Sequence, residues 1–161
     1  GERLAAAALA HPAAEGWTLD VYGEGSEEPT LRADLAELGI ASRVRLLGQQ
    51  PRETVLQAIA DADAMLFPSM HDSAGWVVAE AVSLGCPVVC LDVGGPPIIV
   101  GDRGSAVSPY ADDVVADLAM ALGAVAGRYA PTDRWAPDRL PDLVDAWYAD
   151  AVAQPPATTR R

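Results

Sequence analysis

The chain contains no lysine; all eleven of its basic side chains are arginines. Lysine chemistry, Schiff-base formation included, is therefore excluded within it. Positive charge is scarce altogether, because 23 aspartates and glutamates leave a net charge of −12. A surface of that sign repels polyphosphate and anionic lipid, so nucleic acid is not an expected partner. Histidine is limited to His11 and His71, and cysteine to Cys86 and Cys90. A zinc site needs more ligands at short spacing, and no metal is expected. The two cysteines lie four apart in an apolar run, where an extended backbone of about 3.3 Å per residue holds them too far apart to bridge. They read as reduced core residues. No stretch reaches the roughly 18 apolar residues of a membrane span, and no charged-then-apolar start marks a secretion signal. A soluble, cytoplasmic protein is expected.

What the chain does have is globular composition. With 161 residues, 50% hydrophobic and 21% charged, it has the length of one domain and enough apolar side chain for a sizeable core. Strand-like runs at residues 17–22, 43–47, 64–67 and 87–91 alternate with helical periodicity at 2–10, 27–38, 51–60 and 75–84. The strands mostly read as buried on both faces. Strands and short helices in alternation predict an α/β fold, a doubly wound parallel sheet with helices on both faces. A weak strand near 105–107 and helices over 111–127 and 138–152 complete the chain. Residues 1–153 are read as one domain and 154–161, with Pro155 and Pro156, as a disordered tail.

The fold is entered through a helix, where such units ordinarily start with a strand. The first strand of a doubly wound sheet lies near its middle. It is expected to be absent from this sequence, leaving a place between the 17–22 and 64–67 strands.

The densest cluster of unusual residues is Pro68-Ser-Met-His-Asp-Ser-Ala-Gly-Trp-Val-Val-Ala-Glu80, which joins a strand to a helix. Open α/β sheets bind ligands at such carboxyl-terminal strand ends. The amides near Gly75, Trp76 and Val77 can cradle a phosphate through fixed dipoles, without a side-chain cation. Glu80 falls among apolar helix neighbours and is either a solvated carboxylate at the edge of the buried face, the ion-pair partner of an arginine, or an acceptor for the vicinal hydroxyls of a ligand. Asp72 would face the same cleft. Two carboxylates flanking a row of amides suit a polyol that carries phosphate, such as a nucleotide sugar. Trp76 could stack on a sugar but is read as a core residue. Glu24, Glu27 and Glu28 are read as a solvated helix start favoured by the helix dipole. Gly94-Gly-Pro-Pro97 is either a turn that restarts a helix or a loop lining the cleft.

The stretch from Asp72 to Glu80, followed by Gly85-Cys-Pro-Val-Val and Gly94-Gly-Pro, resembles the E-x7-E region of retaining GT-B glycosyltransferases of family 4, here as D-x7-E. The likeness extends through Gly23-Glu-Gly25, Val44-Arg-Leu-Leu-Gly48, Asp63-Ala-Met-Leu-Phe-Pro-Ser69 and Gly104, and on to Trp135 and Trp147-Tyr148. The resemblance implies the Rossmann-like, donor-binding half of a GT-B enzyme. Glu80 would then bind the donor ribose, and Ser73, Gly75, Trp76 and Val77 the distal phosphate. Asp72 would be the catalytic-site carboxylate that holds the transferred hexose. Leu47 and Gln50 would lie against the base, and Gly23, Gly25, Gly94 and Gly95 would line the cleft. The donor would be a UDP-, GDP- or other nucleotide-sugar, used as a substrate without a cofactor. Similar enzymes neutralise the diphosphate with an arginine and a lysine just upstream of the counterpart of Gly1, and bind the acceptor on an N-terminal domain. Both are outside this sequence, so the chain alone is expected to be inactive.

Two other chemistries fail on the residues. A dinucleotide fingerprint at Gly23-Glu-Gly-Ser-Glu-Glu28 has a glutamate in place of its third glycine. Ser69, His71, Asp72 and Ser73 are too close in sequence to build a triad, and no G-x-S-x-G elbow is present. The remaining alternative is a non-catalytic α/β binding or interaction module.

Overall fold

The computed structural model describes residues 1–72, 74–139, 141–142, 144–146 and 149. Among the described residues five strands, parallel where they pair, are joined by helices. In chain order they are α1 (Glu2–Ala10), β1 (Leu19–Val21), α2 (Glu28–Glu37), β2 (Val44–Leu46), α3 (Arg52–Asp61), β3 (Met65–Phe67), α4 (Trp76–Ser83), β4 (Val88–Leu91), α5 (Pro96–Val100), β5 (Gly104–Val107) and α6 (Val114–Gly123). The predicted α/β class and the parallel direction of every strand hold. The helix anticipated over 111–127 is shorter, because the Asp113 carboxylate accepts the Ala116 N–H at 2.9 Å and caps α6 there. The 138–152 helix falls partly, and the 154–161 tail wholly, outside the described residues, as do Trp147 and Tyr148.

Hydrogen bonding divides the strands into two groups, β1 with β2, and β3–β4–β5. β1 and β3 do not pair. Between them runs an open groove of about 1080 Å³, whose walls include Leu19 to Tyr22 on one side and Ala64 to Pro68 on the other. The spatial order is thus β2, β1, an empty lane, β3, β4, β5. That β1 and β3 do not pair agrees with the separation expected between the 17–22 and 64–67 strands. The lane also corrects one expectation. Only β4, flanked on both edges, is buried throughout; β1 and β3 are half-buried along their length.

Side-chain alternation on β4 divides the core between two faces. Val88 and Cys90 pack with Ile59 of α3, Val78, Ala81 and Val82 of α4, and Ile99 and Val100 of α5. Val89 and Leu91 pack on the other face with Ala8 of α1 and Leu118, Ala119 and Leu122 of α6. α1 also joins the two strand groups. Its Ala6 and Leu9 pack with Leu31 and Leu35 of α2 beside Leu19, Val44 and Leu46, and its alanines let these layers approach closely. Cys86 and Cys90 are both buried and unbridged, as their spacing indicates. Among the described residues no helix is long and apolar enough to cross a membrane.

Candidate functional site

Four loops leave the carboxyl-terminal ends of the strands. They follow β1 (Tyr22 to Glu27), β2 (Leu47 to Pro51), β3 (Pro68 to Gly75) and β4 (Asp92 to Gly95). The chain turns from one strand group to the other across the lane, so these loops flank the topological switch point. Every described residue assigned to donor binding, the base or the cleft glycines lies in one of them or on the first two turns of α4; Ser73 lies outside the described residues.

Gly75 starts α4 because only glycine fits there. Its φ is +59°, and a Cβ would stand 3.0 Å from Ile99 Cδ1 and 3.4 Å from Pro96 Cγ. α4 therefore begins pressed against α5. Gly94 is constrained in the same way, with φ +69° and a Cβ position 2.3 Å from the Asp72 carbonyl oxygen. The β4–α5 loop is thus packed on the backbone of the Asp72 loop. Gly95 caps α5 at an ordinary negative φ.

Asp72 Oδ1 accepts the Ala74 N–H at 2.9 Å and the Gly75 N–H at 2.6 Å. The amide of Gly75, proposed from the sequence as a phosphate donor, is thereby taken up by Asp72. The N–H groups of Trp76 and Val77, in the first turn of α4, make no hydrogen bond among the described residues. Trp76 itself is 75% exposed, which overturns its reading as a core residue. The buried face of α4 is Val78, Ala81 and Val82, and the indole lies off that face.

Glu80 stands one turn further along α4, with its side chain 29% exposed, and forms an ion pair with Arg52. Of the alternatives open to it, a solvated carboxylate, an arginine pair or ligand hydroxyls, the structure shows the arginine pair. Arg52 is the first residue of α3, directly after the Leu47–Pro51 loop. The pair therefore brings the β2 loop to α4 and places a positive charge beside that helix. Sequence reading missed Arg52, since 28 positions separate it from Glu80; its signal was the carboxylate's need for a counter-charge.

At the β2 loop, Gln50 Nε2 donates to the Leu47 carbonyl at 2.7 Å, so the two residues assigned to the base form one turn. Gly48 adopts φ +65°, and its carbonyl accepts the Gly23 N–H at 2.8 Å. Glu24 reaches the same loop, accepting the Gln49 N–H at 3.4 Å, rather than serving only as a solvated helix start. Glu28 is paired with Arg32 on α2. Gly23, with φ +122°, and Gly25 thus lie in the turn facing the β2 loop. Among the described residues no three His, Cys, Asp or Glu side chains gather as a metal site.

Residues 3–122 match the family of glycosyl transferases group 1. Among curated relatives, a D-inositol 3-phosphate glycosyltransferase of Mycobacteroides abscessus is 46% identical over 82 residues, 50% of this chain and 18% of the relative. One from Mycolicibacterium smegmatis is 34% identical over 133 residues, covering 82% of this chain and 28% of the relative. The chain spans less than a third of either. The apo form of the lipopolysaccharide outer core galactosyltransferase WaaB superposes with a TM-score of 0.73 at 24% identity, over 92% of this chain and 44% of that one. At that identity the likeness speaks for the fold.

Proposed function

Since the chain belongs to the glycosyl transferases group 1 family, we propose that it is the part of a retaining, family 4 glycosyltransferase that holds the nucleotide-diphospho-sugar donor. The observation that carries the reading is the convergence at the switch point. Arg52, directly after the Leu47–Pro51 loop, pairs with Glu80 of α4, and Asp72 accepts the Ala74 and Gly75 N–H groups in the turn into the same helix.

Each group has a task suited to its chemistry. The Trp76 and Val77 amides bind the distal phosphate, with the α4 dipole favouring its charge. Glu80, a carboxylate with two acceptor oxygens, takes the two ribose hydroxyls. Arg52 holds Glu80 in place before the donor arrives and offsets part of the cleft's acidity. The base lies along the Leu47–Gln50 turn, and the exposed Trp76 indole offers a face to the sugar. Asp72 positions the hexose through its hydroxyls while its Oδ1 secures the α4 turn. Its D-x7-E spacing to Glu80 is the counterpart of the family's E-x7-E.

Transfer with retention then proceeds on the sugar's front face. The leaving phosphate draws the acceptor proton, and the amides of α4 meet its growing charge. No enzymic nucleophile and no metal ion are required. The acceptor, a glycan, lipid or small molecule, belongs to a further domain, so the chain by itself binds donor without turning it over.

Isothermal titration calorimetry with UDP and with GDP tests the reading. A donor-binding chain gives a one-to-one binding heat with at least one of them. No heat with either would favour a non-catalytic α/β module, in which Asp72 and Glu80 serve only the local structure.

A further inference from the structure

Arg128 lies in the segment that follows α6, and its guanidinium is given over to the ends of two other helices. Nη1 donates to the carbonyl of Ala62, the cap of α3, and at 3.3 Å to the carbonyl of Ile59 in the last turn of that helix. Nη2 donates at 2.9 Å to the carbonyl of Leu84, the cap of α4. Carbonyls at a helix end have no partner within their own helix. The negative poles of α3 and α4 are thus brought together, and one cation between them offsets their repulsion. A planar fork with five N–H donors suits carbonyls on two helices at once, and a lysine ammonium on its flexible stem suits them less well.

The backbone beside Arg128 is fixed to the same place. The Tyr129 N–H donates to Gly85 O at 2.9 Å and the Thr132 N–H to Ser83 O at 3.0 Å. Gly85, with φ +76°, has no room for a side chain, since a Cβ would stand 2.2 Å from the Tyr129 carbonyl oxygen. Further toward the cleft the two helices meet again, where Arg52, the first residue of α3, pairs with Glu80 of α4. Leu84 connects the two levels: its N–H donates to Glu80 O at 3.0 Å, and its carbonyl accepts from Arg128. With 8 residues, α4 is about 12 Å long. A rod so short, held at its end, passes any displacement there on to its first turn.

We propose that Arg128 is a positioning residue for the nucleotide. By fixing the ends of α3 and α4 against each other it sets the register in which Arg52 meets Glu80, and with it the placement of the Trp76 and Val77 amides. Resting on the donor-binding reading above, this role gives Arg128 no contact with the ligand. Arg103 supplies the contrast. It donates to Ala130 O at 2.6 Å and lies 5.6 Å from the centre of the Tyr129 ring, so it holds the same segment with no hydrogen bond to α3 or α4 among the described residues.

The test measures UDP and GDP affinity by calorimetry in the chain and in its Arg128→Ala, Arg128→Lys and Arg103→Ala variants, each shown by urea denaturation to be folded at the assay temperature. Arg128→Ala should weaken binding about fivefold or more and Arg128→Lys about two- to threefold. Arg103→Ala, which loosens the segment alone, should change it by less than about twofold. With Glu80→Gln already in place, Arg128→Ala should cost less than about twofold further, because the register it maintains has lost its carboxylate. Amide resonances give a readout without nucleotide: the Trp76, Val77 and Glu80 signals should move in Arg128→Ala and stay in Arg103→Ala. If Arg128→Ala does not fold, Arg128→Lys decides. Affinity equal to that of the unsubstituted chain, or an equal loss in Arg103→Ala, would overturn the proposal and leave Arg128 a brace of the fold. An unsubstituted chain that binds neither nucleotide fails the donor-binding reading instead, and unmoved Trp76, Val77 and Glu80 signals would then overturn the positioning of α4 as well.

Discussion

At the scale of single residues, Asp72 combines two tasks that substitution can separate. Its Oδ1 caps the turn into α4, a task asparagine performs nearly as well and alanine does not. Asp72→Ala should therefore cost about 1 kcal/mol of stability and Asp72→Asn only a few tenths, as read by urea denaturation. In the complete enzyme Asp72→Asn should lower turnover while leaving UDP or GDP affinity nearly intact, because a bare nucleotide has no hexose to hold. A glycosyl adduct trapped on Asp72, or activity lost to EDTA, would refute the mechanism. Glu80→Gln removes a charge-assisted acceptor and should weaken nucleotide binding by about 1 to 3 kcal/mol. Unchanged affinity in a folded variant would reduce Glu80 to the Arg52 ion pair. Buried Cys90 gives a check that involves no ligand: desolvation pushes its thiol up to about 11 from an ordinary 9.0. A raised folded pKa means that its contribution to stability is complete below pH 9 and is lost as pH rises toward 11. Stability should fall over that window, and a thiol reagent at pH 8 should modify the native chain far more slowly than the unfolded one.

At the scale of elements, the sequence was most readable where local chemistry decides the outcome. Glycines requiring positive φ marked the ends and starts of helices, as at Gly39 and Gly75, and the apolar run at 87–91 proved to be the buried strand β4. Trp76 was misjudged because helical spacing alone does not say where the buried stripe of a short helix is centred; here it runs through Val78, Ala81 and Val82. Arg52 with Glu80 joins α3 to α4, and a contact so distant in sequence leaves no local pattern. Arg128 is similar, donating to Leu84 O at 2.9 Å and to the Ala62 carbonyl, and so closing the ends of α4 and α3. β5 depends on a close approach that only glycine permits, since a Cβ at Gly104 would lie 1.9 Å from the Val88 carbonyl oxygen. Gly104→Ala should push β5 off β4 and destabilise the fold by about 1 to 3 kcal/mol or more, seen as a lower urea midpoint.

At the scale of the whole molecule, a chain of net charge −12 holds an anionic ligand only where fixed dipoles and a local cation outweigh the surrounding field. In the proposed reading the start of α4 and Arg52 supply these at the switch point. The separation of the 17–22 and 64–67 strands was foreseeable from the order of elements. The strand-to-helix loop that carries the candidate residues was likewise legible, whereas the capture of the Gly75 amide by Asp72 was not. The most direct measurement is therefore a titration of the isotopically labelled chain with UDP, following backbone amide resonances. The account predicts saturable shifts largest at Trp76 and Val77, with further shifts at Glu80 and from Leu47 to Gln50, all weakened together in Glu80→Gln. Saturable shifts elsewhere on the chain with these amides unmoved, or no shifts at millimolar UDP and GDP, would contradict it.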